Sequence, residues 1–102
     1  RSVLVGHYAE EMISSLHADI AFFSAQSVAA GGEVYDCFEE ENVLRRKMLQ
    51  GASRSVLLCD STKFRKTSPF RLCALSDVDC LVSDRDVRPL LDADDLPELL
   101  FP

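Results

Sequence analysis

No stretch of this chain approaches the roughly 20 consecutive apolar residues that a membrane span needs, and no segment has the form of a signal peptide. The expectation is a cytoplasmic chain without membrane contact. Positive charge is also scarce: 11 Lys and Arg stand against 17 Asp and Glu, for a net charge of −6. Non-specific nucleic-acid binding needs a positive footprint, so this chain is not expected to hold DNA by itself. The four cysteines, Cys37, Cys59, Cys73 and Cys80, show no C-x-x-C spacing. Cys59 and Cys80 lie in or beside apolar runs, where cysteine behaves as a small hydrophobe, and free thiols in a reducing compartment follow. Ser24 and Ser27 have no G-x-S-x-G context for nucleophilic catalysis. Gly31-Gly32 lacks the G-x-G-x-x-G dinucleotide fingerprint. His7 and His17 flank the first helix and read as helix-end residues, not metal ligands. No metal or cofactor is expected.

What is present is enough for one globular domain, or a piece of one: 102 residues, 47% apolar and 27% charged. The richest segment is residues 54–64, R-S-V-L-L-C-D-S-T-K-F. Val56-Leu57-Leu58-Cys59 reads as a buried parallel strand, and polar groups crowd its exit. Ligands of open α/β sheets sit beyond the carboxyl ends of the strands. Ser61, Thr62 and Lys63 supply hydroxyl donors and a mobile cation suited to a phosphate. Asp60 beside them has three open roles: hydrogen-bonding a sugar hydroxyl, orienting Lys63, or capping the loop through nearby amides. Lys63, Arg65, Lys66 and Arg71 concentrate positive charge in one window, so an anion site is compatible with an acidic protein.

Along the chain, Ser2 to Gly6 predicts a short strand closed by a glycine. Ala9, Met12, Ile13 and Leu16 recur at the i, i+3, i+4, i+7 spacing of an amphipathic helix. Residues 18–23 predict a second strand, followed by a small-residue loop from Ser24 to Gly32. A helix over about residues 37–51 places Glu39, Glu40 and Glu41 first and Arg45, Arg46 and Lys47 after them, the order favoured by the helix dipole. Glu41 and Arg45 are spaced as an i, i+4 pair, and Gly51 is the expected stop. After the strand at 55–59 come two short strands near 72–75 and 80–83, then a polar tail over 84–102 that is expected to be helical. The order predicts an α/β fold: a mostly parallel, Rossmann-like sheet with flanking helices.

At D-S-T-K-F the chain resembles the C-terminal, effector-sensing domain of DeoR-family transcription repressors. The resemblance runs in order through Leu4-Val5-Gly6 with Ala9-Glu10-Glu11, Ala18-Asp19-Ile20-Ala21-Phe22, Glu39-Glu40-Glu41 with Val43, Arg46 and Lys47, the 56–64 segment, and Leu75-Ser76-Asp77-Val78-Asp79-Cys80-Leu81-Val82-Ser83-Asp84. It covers roughly residues 1–84. It implies a fold like ribose-5-phosphate isomerase with an incomplete first half, so that residues 1–102 are a partial sugar-phosphate sensor domain. It also implies that the glycine/threonine-rich phosphate loop and the helix-turn-helix lie outside this chain. The implied partners are a phosphorylated sugar or related metabolite, a second copy of the chain in a homo-oligomer, and DNA only through the absent helix-turn-helix.

Those isomerases carry D-G-A-D where this chain has Phe23-Ser24-Ala25-Gln26, and an R-E-K triplet where it has Arg45-Arg46-Lys47. Aldose–ketose isomerisation needs a carboxylate to move a proton, and arginine cannot serve as that base. Binding groups persist while catalytic acids are missing, which suits a sensor and not an enzyme. The expected ligand-binding residues are Asp60, Ser61, Thr62 and Lys63, with Glu40 or Glu41 as an inward-pointing acid and Ser24 at the exit of the second strand. The alternatives are a divergent sugar-phosphate isomerase, or a fragment that serves subunit association without binding a ligand.

Overall fold

The computed structural model describes residues 6–102, and the strand expected at residues 2–5 lies outside them. Among the described residues, α1 (His7–Ser14) leads into β1 (Ala18–Ser24), which is followed by β2 (Ser27–Val28) and β3 (Glu33–Asp36). Next come α2 (Glu39–Gly51), β4 (Ala52–Leu58), a 3₁₀ turn (Ser61–Lys63), β5 (Phe70–Ala74), β6 (Cys80–Val82) and β7 (Glu98–Leu100). The fold is α/β. A four-stranded parallel sheet runs β1-β4-β6-β7, and a three-stranded antiparallel sheet runs β2-β3-β5.

The parallel sheet is set by period-two sorting along its strands. Ala21 and Phe23 of β1, Leu57 of β4 and Leu81 of β6 point into the core. There Phe23, Leu57 and Leu81 meet Val28, Val34 and Leu72 from the second sheet, with Leu49 of α2 packed against the cluster. The opposite face carries Ile20, Phe22, Leu58 and Leu100, all exposed. Val56 and Cys80 on that face are buried between them.

Several local expectations give way to tertiary packing. The first helix ends at Ser14, and of its apolar stripe only Ala9 is buried, while Met12 and Leu16 are exposed. The loop from Ser24 to Gly32 contains β2, because Ser27 and Val28 pair with Tyr35 and Val34 of β3. Gly51 is not a left-handed cap: it is the last residue of α2, and the chain continues directly into the extended Ala52. A side chain there would bring a Cβ to 3.0 Å from the Leu16 carbonyl, so close approach is what requires the glycine. Acids do fill the first turn of α2, but its last turn carries no base. Arg45 pairs with Asp36 on β3, and Arg46 with Glu39 at 2.6 Å.

The polar tail is not helical. It makes one 3₁₀ turn (Arg88–Leu90) and then β7, which lies parallel to β6 in the register Leu81↔Leu99. Pro89 and Pro97 lack the N–H that helix continuation needs. Leu90, Leu96 and Leu99 pack onto the core. Gly32, at φ 92°, turns the 29–32 loop so that it meets both this tail and the end of β5: Asp92 N–H donates to the Ala30 carbonyl at 2.7 Å and Leu75 N–H to the Gly32 carbonyl at 2.8 Å.

Candidate functional site

Parallel pairing brings the exits of three strands to one edge. Ser24 is opposite Leu58, and Leu58 is opposite Val82. The pairing continues one step beyond β4, because Cys59 N–H donates to the Val82 carbonyl at 3.1 Å. Asp60 therefore leaves the sheet next to Ser83 and Asp84, which follow β6. This is the carboxyl edge where open α/β sheets take ligands.

The chain then folds into the 3₁₀ turn. Asp60 Oδ1 accepts from Thr62 N–H at 2.9 Å and from the Thr62 hydroxyl, and Lys63 N–H returns to the Asp60 carbonyl at 3.1 Å. These bonds hold the Asp60 carboxyl below its usual pKa, with the Thr62 hydroxyl as the main cause. Of the three roles open to Asp60, capping is the one whose bonds are visible. Beyond the turn, Phe64 is buried and bridges Val28 of β2, and Lys66 N–H donates to the Val28 carbonyl at 3.3 Å. Arg65 between them takes a left-handed φ of 59°.

The sequence reading missed Asp84. Its Oδ1 accepts from Ser61 N–H at 2.6 Å, and its Oδ2 from the Ser61 hydroxyl at 3.0 Å. The Ser83 hydroxyl adds a third bond at 3.2 Å. Hydrogen bonds to Ser61, the backbone N–H first, pull the Asp84 carboxyl below its ordinary range. A signal for it was present: apolar 80–82 running into Ser83-Asp84 repeats the pattern of apolar 56–59 running into Asp60.

The structure thus brings Ser24, Asp60, Ser61, Thr62 and Lys63 to one sheet edge, with Asp84 among them. Glu40 and Glu41 lie on a different element, the first turn of α2. The next turns of that helix are fastened to the antiparallel sheet. Buried Asn42 donates to the Phe70 carbonyl at 3.3 Å, and Arg46 to the Arg71 carbonyl at 3.0 Å. Burial raises the Cys59 thiol behind the turn to about 11, and Cys73 on β5 to about 12. Neither is a thiolate at neutral pH. Among the described residues no group of three or more His, Cys, Asp or Glu side chains is arranged to hold a metal ion. None of the described helices is long and apolar enough to cross a membrane.

A compact parallel α/β unit with polar groups gathered at its carboxyl edge has the build of a ligand-binding module. The chain belongs to the family described as DeoR C terminal sensor domain, which it matches over residues 1–85. It is 34% identical over 82 residues to the L-fucose operon activator of Haemophilus influenzae, covering 80% of this chain and 33% of that protein. It is 32% identical over 82 residues to the HTH-type transcriptional repressor GlcR of Bacillus subtilis, covering 80% of this chain and 31% of that protein. It is also 26% identical over 82 residues to a putative aga operon transcriptional repressor of Escherichia coli O157:H7, covering 80% of this chain and 30% of that protein. The chain spans about a third of the length of these curated relatives.

Proposed function

We propose that this chain is the effector-sensing part of a DeoR-type regulator of carbohydrate genes, and that it binds a phosphorylated sugar at the carboxyl edge of its parallel sheet without transforming it. The observation that carries this reading is the convergence of Ser24, Asp60, Lys63 and Asp84 at that edge in a member of a sensor-domain family. The names of the relatives support the carbohydrate part, since they include an L-fucose operon activator. DNA contact belongs to a helix-turn-helix outside this chain, consistent with the HTH-type description of one relative and with the net charge of −6. A homo-oligomer in the cytoplasm completes the proposal. Regulation then requires the effector to bind two arrangements of the regulator with different affinity.

Isomerisation is not part of the proposal. At the triplet where the isomerases place their glutamate, Arg46 is bound to Glu39 and to the Arg71 carbonyl. An arginine held in this way cannot shuttle a proton. Aldose–ketose turnover by this chain, lost on Asp60→Ala, would revive an enzyme reading.

A thermal-shift panel of sugar phosphates, with the unphosphorylated sugars as controls, tests the sensor reading. A ligand at 100 times its dissociation constant stabilises the fold by about 2.7 kcal/mol. A phosphate-dependent shift that is lost in Lys63→Ala is expected. Absence of any shift across the panel overturns ligand binding by this chain.

A further inference from the structure

The D-S-T-K turn has donors that look ready for a phosphate: two amide N–H groups and two hydroxyls on Ser61 and Thr62. All four are taken. Asp84 holds both donors of Ser61, and Asp60 Oδ1 holds both donors of Thr62. An incoming phosphate would have to displace a carboxylate from each pair, and it would approach against two negative charges. What the turn leaves over is different in kind. Lys63 forms no ion pair with the described residues, and Asp60 Oδ2 accepts no hydrogen bond from them. A cation and a carboxylate oxygen on the same turn suit the hydroxyls of a polyol, which both donate and accept.

Asp84 makes this arrangement possible. It comes from the end of β6, whereas Ser61 follows β4, so its carboxylate ties two adjacent strand exits with bonds of 2.6 and 3.0 Å. Ser83 N–H is itself anchored to the Leu100 carbonyl of β7 at 3.0 Å. The clamp therefore rests on sheet, not on loop. Accepted hydrogen bonds keep a carboxylate ionised, so the clamp stays closed at neutral pH. The charged group that acts on the same turn is Asp60, which itself feels Lys63 at the turn's end.

We infer that Asp84 is a positioning residue: it fixes the 60–63 turn against β6 and closes Ser61 to phosphate, so that the turn reads the hydroxyl-bearing part of the ligand through Asp60 and Lys63. The ligand role of the turn rests on the sensor reading above; the clamp itself does not. Ser61 and Thr62, chosen from sequence as phosphate donors, become structural members of the site.

Amide NMR on this chain separates the two. Lowering the pH should move the Ser61 amide resonance as Asp84 protonates. That movement should disappear in Asp84→Asn and persist in Asp60→Asn. A Ser61 resonance that titrates identically in wild type and Asp84→Asn overturns the clamp. With inorganic phosphate as probe, the wild-type Ser61 amide should stay in place at millimolar concentrations. A saturable shift there overturns the closure to phosphate. For any sugar phosphate that binds wild type, Asp84→Asn should weaken binding about tenfold, the loss expected from one misplaced charged hydrogen bond. Its Tm should change less than that of Asp84→Ala, because asparagine can still accept from Ser61. Unchanged affinity in Asp84→Asn overturns the positioning role. Silence of the whole sugar panel on wild type would sink the sensor reading alone, with the amide titration still judging the clamp.

Discussion

The two faces of the four-stranded sheet are built from alternate residues of the same strands, yet they meet different fates. Phe23, Leu57 and Leu81 find partners within this chain, in the antiparallel sheet and α2. Ile20, Phe22, Leu58 and Leu100 on the other face are 47%, 61%, 44% and 49% exposed, in that order. Parallel sheets normally have both faces covered, whereas among the described residues only one face of this sheet packs into the core cluster. One face supplies the stability of the unit. The other keeps large apolar side chains exposed among the described residues.

The largest break in that comparison is expected from Leu57→Ala. Leu57 is fully buried, and truncating such a leucine costs about 2–5 kcal/mol, readable as a lowered urea midpoint. Phe22→Ser on the outer face should change stability by less than about 0.5 kcal/mol. It should also reduce concentration-dependent self-association in size-exclusion runs. Equal losses from both would mean that the outer face is packed in solution.

A smaller effect is expected at the opposite edge of the sheet, where Asp79 accepts from the N–H of buried Ser55 at 2.7 Å. Asp79→Ala leaves that donor with a lost partner and should cost about 1–3 kcal/mol. The two aspartates that flank β6 thus divide the labour. Asp79 secures the entry of β6 against β4, and Asp84 secures its exit against the turn. Denaturation curves of Asp79→Ala and Asp84→Ala, measured together, should rank the first as more destabilising.

Cysteine chemistry sharpens the contrast between inside and outside without altering the fold. Cys37 is partly exposed, whereas Cys59, Cys73 and Cys80 are buried. With thiols at about 11 and about 12, Cys59 and Cys73 are almost wholly protonated near pH 8. Iodoacetamide should label Cys37 well ahead of both, as peptide mapping by mass spectrometry would show. Faster labelling of Cys73 would mean that β5 opens readily.

The smallest effect concerns acid. The carboxyls of Asp60 and Asp84 are both depressed in the folded chain. Such groups stabilise the fold above their unfolded pKa of about 3.9 and lose that contribution as pH falls through the lower folded value. Melting temperature should therefore decline below about pH 4 more steeply in wild type than in the double variant Asp60→Asn, Asp84→Asn. Parallel curves would show that these exposed carboxylates are only weakly linked to folding.

Much of this was legible in the residues. Strand β4 and its polar exit follow from an apolar run ending in Asp60, and α2 from acids ahead of bases. Both signals are local, carried by neighbours in sequence. The tail misled because acids and prolines interrupt its leucines; only the pairing of Leu99 opposite Leu81 makes it a strand. Ser61 and Thr62 were identified as site residues by type, but sequence could not show that their donors were already engaged.

The sequence by itself determined the class of fold, the family and the polar exit of β4, because period, run length and motif are written along one dimension. Only the tertiary structure decided which sheet face found cover, which residue closed the turn, and which of its donors were already engaged. Those outcomes depend on contacts such as Ser61 with Asp84, 23 residues apart in the chain and 2.6 Å apart in space. Hydrogen-bond donors saturate, and no pattern of residue types records which acceptor reaches them first.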